Sequence, residues 1–189
     1  MEAAEDRDRI ERTAAGDARA FEAFVRRWEG PLYRFLRRTT GSPALAEEAR
    51  HLTFVRLYTR AGEFRGGSVP VWLSRTAWRV AANLRRDEAR AAWPCVEADE
   101  NVPDRAPGPD FRLADEEERG TLRASLERLH PQDRAALWLR VAEGMSLAET
   151  ARVLRLPPST LRYRLYLALR RLKREMTSPS GNGERHAVP

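Results

Sequence analysis

GMSLAETARVLRLPPSTLRYRLYLALRRLKRE, residues 144–175, is the stretch on which the fold turns. Gly144 can end one helix in the left-handed conformation that side chains with a Cβ resist. Ser146 and Glu149 stand three residues apart, the spacing of a capping box, so a new helix starts there. It runs to Arg155, is broken at Leu156 and Pro157, and is followed by a last helix from about Pro158 to Glu175. Two helices across so short a turn form a helix-turn-helix. In such a unit the second helix enters the major groove of DNA and reads base edges from its N-terminal residues, while basic neighbours hold phosphates. Leu161, Leu165, Ala168 and Leu172 would hold the last helix on its body. Ser159, Thr160, Arg162, Tyr163, Arg164, Tyr166, Arg170 and Arg171 are the candidate DNA contacts.

Working toward the N-terminus, Leu122, Leu126 and Leu129 make an apolar stripe that stops at His130 and Pro131. A helix from about Gln132 then carries Leu137, Leu139 and Val141 to Gly144. With the two helices above, this gives a four-helix body from about residue 119 to 176. It is preceded by a different kind of sequence. From Pro94 to Glu118 there are nine acidic residues against Arg105 and Arg112, with prolines at Pro94, Pro103, Pro107 and Pro109. That composition predicts an extended acidic linker over 94–118. The tail, 177–189, is rich in Ser, Gly and Pro and is expected to be disordered.

Residues 1–93 read as a second helical body. Asp17 can cap a helix that places Ala20, Phe21, Phe24, Val25 and Trp28 on one face, continued by Leu32, Phe35 and Leu36 after Pro31. Ser42-Pro43 opens another helix, to about Arg60. Ser68 and Pro70 open a third, from about Val71 to Arg90, with Trp72, Leu73, Ala77, Val80, Ala81 and Leu84 inward. The chain is thus expected to be all-α, two small helical domains joined by an acidic linker.

Composition excludes several classes. The net charge is +6, and Lys173 is the one lysine, so arginine supplies nearly all the positive charge. Its planar fork donates two hydrogen bonds at once to a phosphate. No run of 18 apolar residues appears, so no membrane insertion is expected. Residues Met1 to Arg12 are charged, unlike a secretory signal, and a cytoplasmic location is expected. A single cysteine, Cys95, allows neither an intrachain disulfide nor a thiolate cluster. His51, His130 and His186 fall on separate segments without metal-ligand spacing, so no cofactor, no metal and no enzymatic activity are expected.

The segment Glu63 to Arg90 mixes aromatic and basic residues. Trp72, Arg75, Trp78, Arg79, Arg85 and Arg86 interleave, and an aromatic beside arginines can stack an unpaired base while the charges track the strand. Tryptophan at helical spacing is more often core, so Trp72 reads first as structural and only second as base-stacking. Phe64, in the Gly-rich stretch before the helix, is harder to account for as core and is the stronger candidate for contact with a base.

At this point the motifs resemble a known family. Gly16-Asp17 with Ala20, Phe21 and Phe24, then Leu32-Tyr33, resembles the opening of the first conserved domain of bacterial sigma factors of the extracytoplasmic-function group, within the sigma-70 family. Phe64-Arg65-Gly66, Ser68, Trp72-Leu73 and Arg75 resemble its segment for the promoter -10 element. Leu126 to Leu129, Pro131, Gln132, Arg134, Glu143 to Ser146, Glu149, Ala151, Leu156-Pro157, Thr160, Arg164-Leu165 and Arg170 to Leu172 resemble the second domain, which binds the -35 element.

The resemblance implies a factor that directs RNA polymerase core to promoter DNA and aids strand opening. It assigns polymerase binding to Glu47, Glu48, His51, Leu52, Phe54 and Arg56. It assigns -10 strand capture to Phe64, Arg65, Trp72, Arg75, Arg79, Asn83 and Arg86. An anti-sigma factor is the expected further partner. Where family members usually carry a Gln-Glu pair, this chain has His51 and Leu52. That difference keeps a second reading open, a sigma-like helix-turn-helix regulator without productive polymerase binding. An RNA-binding protein is a third, since basic helices with aromatics serve RNA as well.

Overall fold

The computed structural model of the chain describes residues 2–91 and 116–177, and among these residues there are helices and turns but no strand. In chain order they are α1 (Glu2–Ala14), α2 (Ala18–Thr40), α3 (Pro43–Thr59), a 3-10 turn (Ala61–Glu63), α4 (Val69–Ala91), α5 (Glu116–Glu127), α6 (Pro131–Val141), α7 (Leu147–Leu154) and α8 (Pro158–Thr177). The fold is all-α, and the second group is a four-helix unit, α5 to α8. Most of the acidic run, with Cys95, and the tail beyond Thr177 lie outside the described residues. Glu116 to Glu118, read above as the end of the linker, open α5 instead.

The helix starts are held by the side chains that the spacing pointed to. Asp17 Oδ1 accepts from the N–H groups of Arg19 and Ala20, both at 3.0 Å. Ser42 Oγ accepts from Leu45 N–H at 3.3 Å and Ser68 Oγ from Val71 N–H at 3.5 Å. Helix α4 begins at Val69, two residues before the expected start, which puts Pro70 in the first turn, where no N–H partner is required. Pro31 does not divide α2, which is continuous from Ala18 to Thr40. An interior proline costs about 3 kcal/mol. Burial of Phe24, Leu32, Phe35 and Leu36 along one face offsets that cost.

Helix α1 is the element the sequence reading did not assign. Its anchors are Ile10, which is buried, and Asp6, whose side chain is almost wholly enclosed. Asp6 receives Arg9 Nη1 at 2.9 Å, Arg27 Nε at 3.1 Å and the Trp28 indole N–H at 3.2 Å. A buried carboxylate is tolerable only with such partners. The pairing ties α1 to α2.

The two helical groups pack directly on each other, α6 against α2 and α7 against α4. One apolar core runs from Phe24, Leu36, Leu73 and Val80 through Leu139, Val153 and Leu161. A smaller cluster of Leu129, Leu137, Ala168 and Leu172 binds α5 to α8. Arg134 crosses the seam, with Nη2 3.5 Å from the Thr39 carbonyl oxygen and Nη1 3.3 Å from that of Glu127. Loss of solvent there lowers its guanidinium pKa from the usual range.

Replacing Asp6 by Asn keeps the shape but removes the enclosed charge that Arg9 Nη1 and Arg27 Nε both meet. The expected loss is about 2–3 kcal/mol. It should appear as a lower urea midpoint at unchanged slope. A change within about 0.5 kcal/mol, the range of ordinary surface substitutions, would contradict this role for Asp6.

Candidate nucleic-acid interface

The C-terminal unit presents α8 from a firmly set turn. Ser146 N–H donates to Glu149 Oε2 at 2.8 Å, and Glu149 N–H donates to Ser146 Oγ at 3.2 Å, so both halves of the capping box form. The Ser146 hydroxyl, and then its backbone N–H, hold the Glu149 carboxyl below the usual carboxylate range. Arg155 ends α7 in the left-handed region at φ 55° and ψ 45°, and Leu156 N–H returns to the Ala151 carbonyl at 3.0 Å. A residue with a Cβ pays about 1–2 kcal/mol there. No glycine marks the turn in the sequence.

Leu161, Ala168 and Leu172 are buried and Leu165 half-buried, so α8 sits on its body along the expected stripe. Ser159, Thr160, Arg162, Tyr163, Tyr166 and Arg170 are exposed. Arg171 is exposed too, and its Nε donates to Glu175 at 2.9 Å. Arg164 lies in the first turns of α8 as expected, with partners inside the chain that the sequence reading did not assign. Its Nε donates to Asp133 Oδ1 at 2.7 Å and its Nη2 meets His130 Nδ1 at 3.1 Å. That same imidazole nitrogen accepts Gln132 N–H at 3.2 Å, capping α6. Arg164 therefore fastens the first turns of α8 to the start of α6.

On α4, Trp72, Arg75, Arg79, Asn83 and Arg86 recur at helical spacing and share one stripe. Arg75, Arg79 and Arg86 are exposed, Trp72 and Asn83 are half-buried, and Arg86 donates to Asn83. Desolvation first, then Arg155, Arg75, Arg56 and Arg60, lower the Arg79 guanidinium pKa. Five arginines from α3, α4 and the end of α7, with Glu63 on Arg60 at 3.6 Å, create a strongly cationic surface.

Phe64 is not the detached ring that the sequence suggested. It closes the 3-10 turn by donating its N–H to the Ala61 carbonyl at 3.1 Å. The chain then turns through Gly66 and Gly67, both at positive φ (86° and 94°), so the Phe64 ring lies 5.1 Å from that of Trp72. Both rings are half-buried against the core and form one aromatic unit at the head of the stripe. Arg65 beside them is exposed.

On α3, Glu47, Glu48, His51 and Arg56 are exposed, and Glu47 pairs with Arg50. Leu52 is half-buried. Phe54 is core, 8% exposed and edge-on to Phe21, so it supports the helix from within. Two exposed apolar residues went unread. Val55 is 45% exposed and Tyr58 48%, one and two turns beyond His51 on the same face. The signal was available as His51, Val55 and Tyr58 at spacings of four and three.

Known proteins share this arrangement. Residues 13–91 match the family description Sigma-70 region 2, and residues 119–172 match Sigma-70, region 4. The chain is 30% identical over 173 residues to the ECF RNA polymerase sigma factor BldN of Streptomyces coelicolor, covering 87% of this chain and 63% of that protein. It thus spans less than two thirds of BldN. It is 30% identical over 178 residues to the RNA polymerase sigma-H factor of Pseudomonas aeruginosa, covering 87% of this chain and 90% of that one. Its fold is similar to the solved structure of the sigma factor RpoE from Bartonella quintana in complex with the anti-sigma factor NepR, at a TM-score of 0.67 and 18% identity over 84% of this chain and 97% of that one. The chain belongs to the sigma-70 family of RNA polymerase sigma factors, in its extracytoplasmic-function group.

Two outcomes follow from these bonds. Arg164→Ala and Asp133→Ala should each destabilise the chain by about 1 kcal/mol, with the double mutant scarcely worse. Additive losses in that cycle would mean that the pair is not coupled. For the capping box, Glu149 has a lowered folded pKa, so its contribution is complete above the ordinary glutamate value of about 4.3 and is lost as pH falls through the folded value. Glu149→Gln should therefore cost about 0.5–1 kcal/mol at pH 7, and the gap to the parent should close on acidification below about pH 4. A gap that stays constant with pH would refute the assignment to the carboxylate.

Proposed function

We propose that the chain is a dissociable promoter-specificity subunit that brings RNA polymerase core to promoters and supports strand opening. The observation that carries this is the presence, on one chain, of an exposed groove helix and a separate aromatic and arginine stripe. Helix α8 would dock in the major groove of the -35 element through Ser159, Thr160, Arg162, Tyr163, Tyr166, Arg170 and Arg171. Arg164 acts as the positioning residue that fixes its entry angle. On α4, Arg75, Arg79 and Arg86 would follow the -10 strand, with Asn83 and Arg65 beside it, while the Phe64–Trp72 pair offers a face for an unstacked base. Extruding a base costs a few kcal/mol. The phosphate contacts offset it without nucleotide hydrolysis, so the chain acts by binding and not as an enzyme.

Polymerase core would bind the exposed face of α3, through Glu47, Glu48, His51 and Arg56 with Val55 and Tyr58. His51, Val55 and Tyr58 supply an aromatic and apolar surface on this face, and half-buried Leu52, which with His51 stands where the family resemblance expects a Gln-Glu pair, supports it. A factor of this kind works in the cytoplasm, and an anti-sigma factor is its natural regulator. No described helix is long and apolar enough to cross a membrane.

Run-off transcription with purified core polymerase and a promoter library tests the reading. Discrete transcripts that require this chain are expected, with Val55→Asp reducing capture of core at least tenfold. Failure to bind core at low salt would overturn the proposal.

A further inference from the structure

The outward side of α8 is unusually apolar for a helix that meets DNA. Opposite the buried Leu161, Ala168 and Leu172 and the half-buried Leu165 stand Ser159, Tyr163, Tyr166, Leu167 and Arg170, at the i, i+4, i+7, i+8 and i+11 spacing of one helix face. Tyr163 is 63% exposed, Tyr166 58% and Leu167 41%. Leu169, on the flank, is 54% exposed. Contiguous exposed apolar groups mark a surface that meets something.

The cations on the same helix restrict what that is. Arg162, exposed in the first turns, borders this face and stays among the groove contacts proposed above, and Arg164 is held by Asp133, so on the outward face itself the first cation is Arg170, three turns in. Arg171, Lys173 and Arg174 follow it, and this end carries the charge expected to hold phosphates. Guanine is read in the major groove by Arg or Lys on O6 and N7, and the centre of this face has neither. The one apolar group that the major groove displays is the C5 methyl of thymine. Leu167 cannot hydrogen-bond, so apolar contact is its only means of discrimination.

We infer that α8 reads the upstream promoter element chiefly through thymine methyl groups, with Tyr163 and Leu167 as specificity-determining residues and Arg170 at the margin. The inference rests on the placement of α8 in the -35 groove proposed above, and it names the chemistry of the sequence read there.

The test uses holoenzyme assembled from core polymerase and the full chain. Upstream duplexes are selected from a randomised pool, and deoxyuridine is then substituted for individual thymidines, which removes only the methyl. Loss of one buried methyl predicts about three- to fourfold weaker binding at each contacted position. Leu167→Ala, an exposed substitution that should not lower the melting temperature, is expected to abolish the uracil effect at one position. Leu167→Arg should shift the preference there to guanine. Selected sites that are guanine-rich at the centre and indifferent to uracil would overturn the inference while leaving the sigma-factor reading intact. No sequence selection and no transcript would instead remove that reading. Self-association of the chain that Leu167→Ala abolishes without changing DNA binding would assign the face to a second copy and also overturn the inference.

Discussion

The seam between the two helical groups is the interaction on which the arrangement depends. Helix α7 is only eight residues long. A helix of that length is marginal alone and owes its stability to packing and capping. It gets packing from α4 and α8 and its cap from Ser146 and Glu149. Helix α6 is placed by α2 on one side and α8 on the other. Because the apolar core is continuous across the seam, the angle at which α8 is presented is set partly by residues of the N-terminal group.

The same seam is electrostatically unfavourable. Arg155 ends α7 beside Arg79 of α4, and Arg56, Arg60 and Arg75 stand close enough to depress the Arg79 guanidinium pKa further. Arg134 gives up solvent for two carbonyl contacts of 3.3 and 3.5 Å, and its Nε has no partner. Apolar burial outweighs these terms within the closed chain. An anion arriving at the α4 stripe would relieve the repulsion among these arginines. A surface that is costly when empty is suited to an anionic ligand.

What could be read from the sequence follows the range of each interaction. Asp17, Ser42 and the Ser146–Glu149 box act on backbone groups two or three residues away, so helix starts were legible from spacing alone. The inward faces of α2, α4 and α8 were legible because packing repeats with the helix period. The failures are long-range. Asp6 organises α1 through Arg27 and Trp28, more than twenty positions away, and nothing local in Met1 to Arg12 announces it. Arg164 reads as a groove residue from its position alone, and its partner Asp133, 31 positions earlier, is brought to 2.7 Å only by the fold. Phe64 looked unattached because its partner Trp72 lies across a turn that two positive-φ glycines make possible. Phe54 and Val55 show the opposite limit, since adjacent apolar residues on one helix part company, one into the core and one into solvent.

Reach then constrains when the seam can exist. A compact chain of this length has a radius of gyration of roughly 16 Å, or about 40 Å across. Promoter positions -10 and -35 are separated by roughly 25 base pairs, about 85 Å along the duplex at about 3.4 Å per pair. With α7 seated on α4, the α4 stripe and α8 lie within one compact unit, and in the roles proposed above they could not meet both elements of a straight duplex. The closed seam and simultaneous engagement of both elements therefore exclude each other. Opening it would expose the apolar faces that α6 and α7 now bury, so under the proposed function the binding energy gained at the partners would have to exceed that loss. Of the like charges around Arg79, only Arg155 lies across the seam, so parting the groups would relieve that one repulsion while Arg56, Arg60 and Arg75 stay with Arg79.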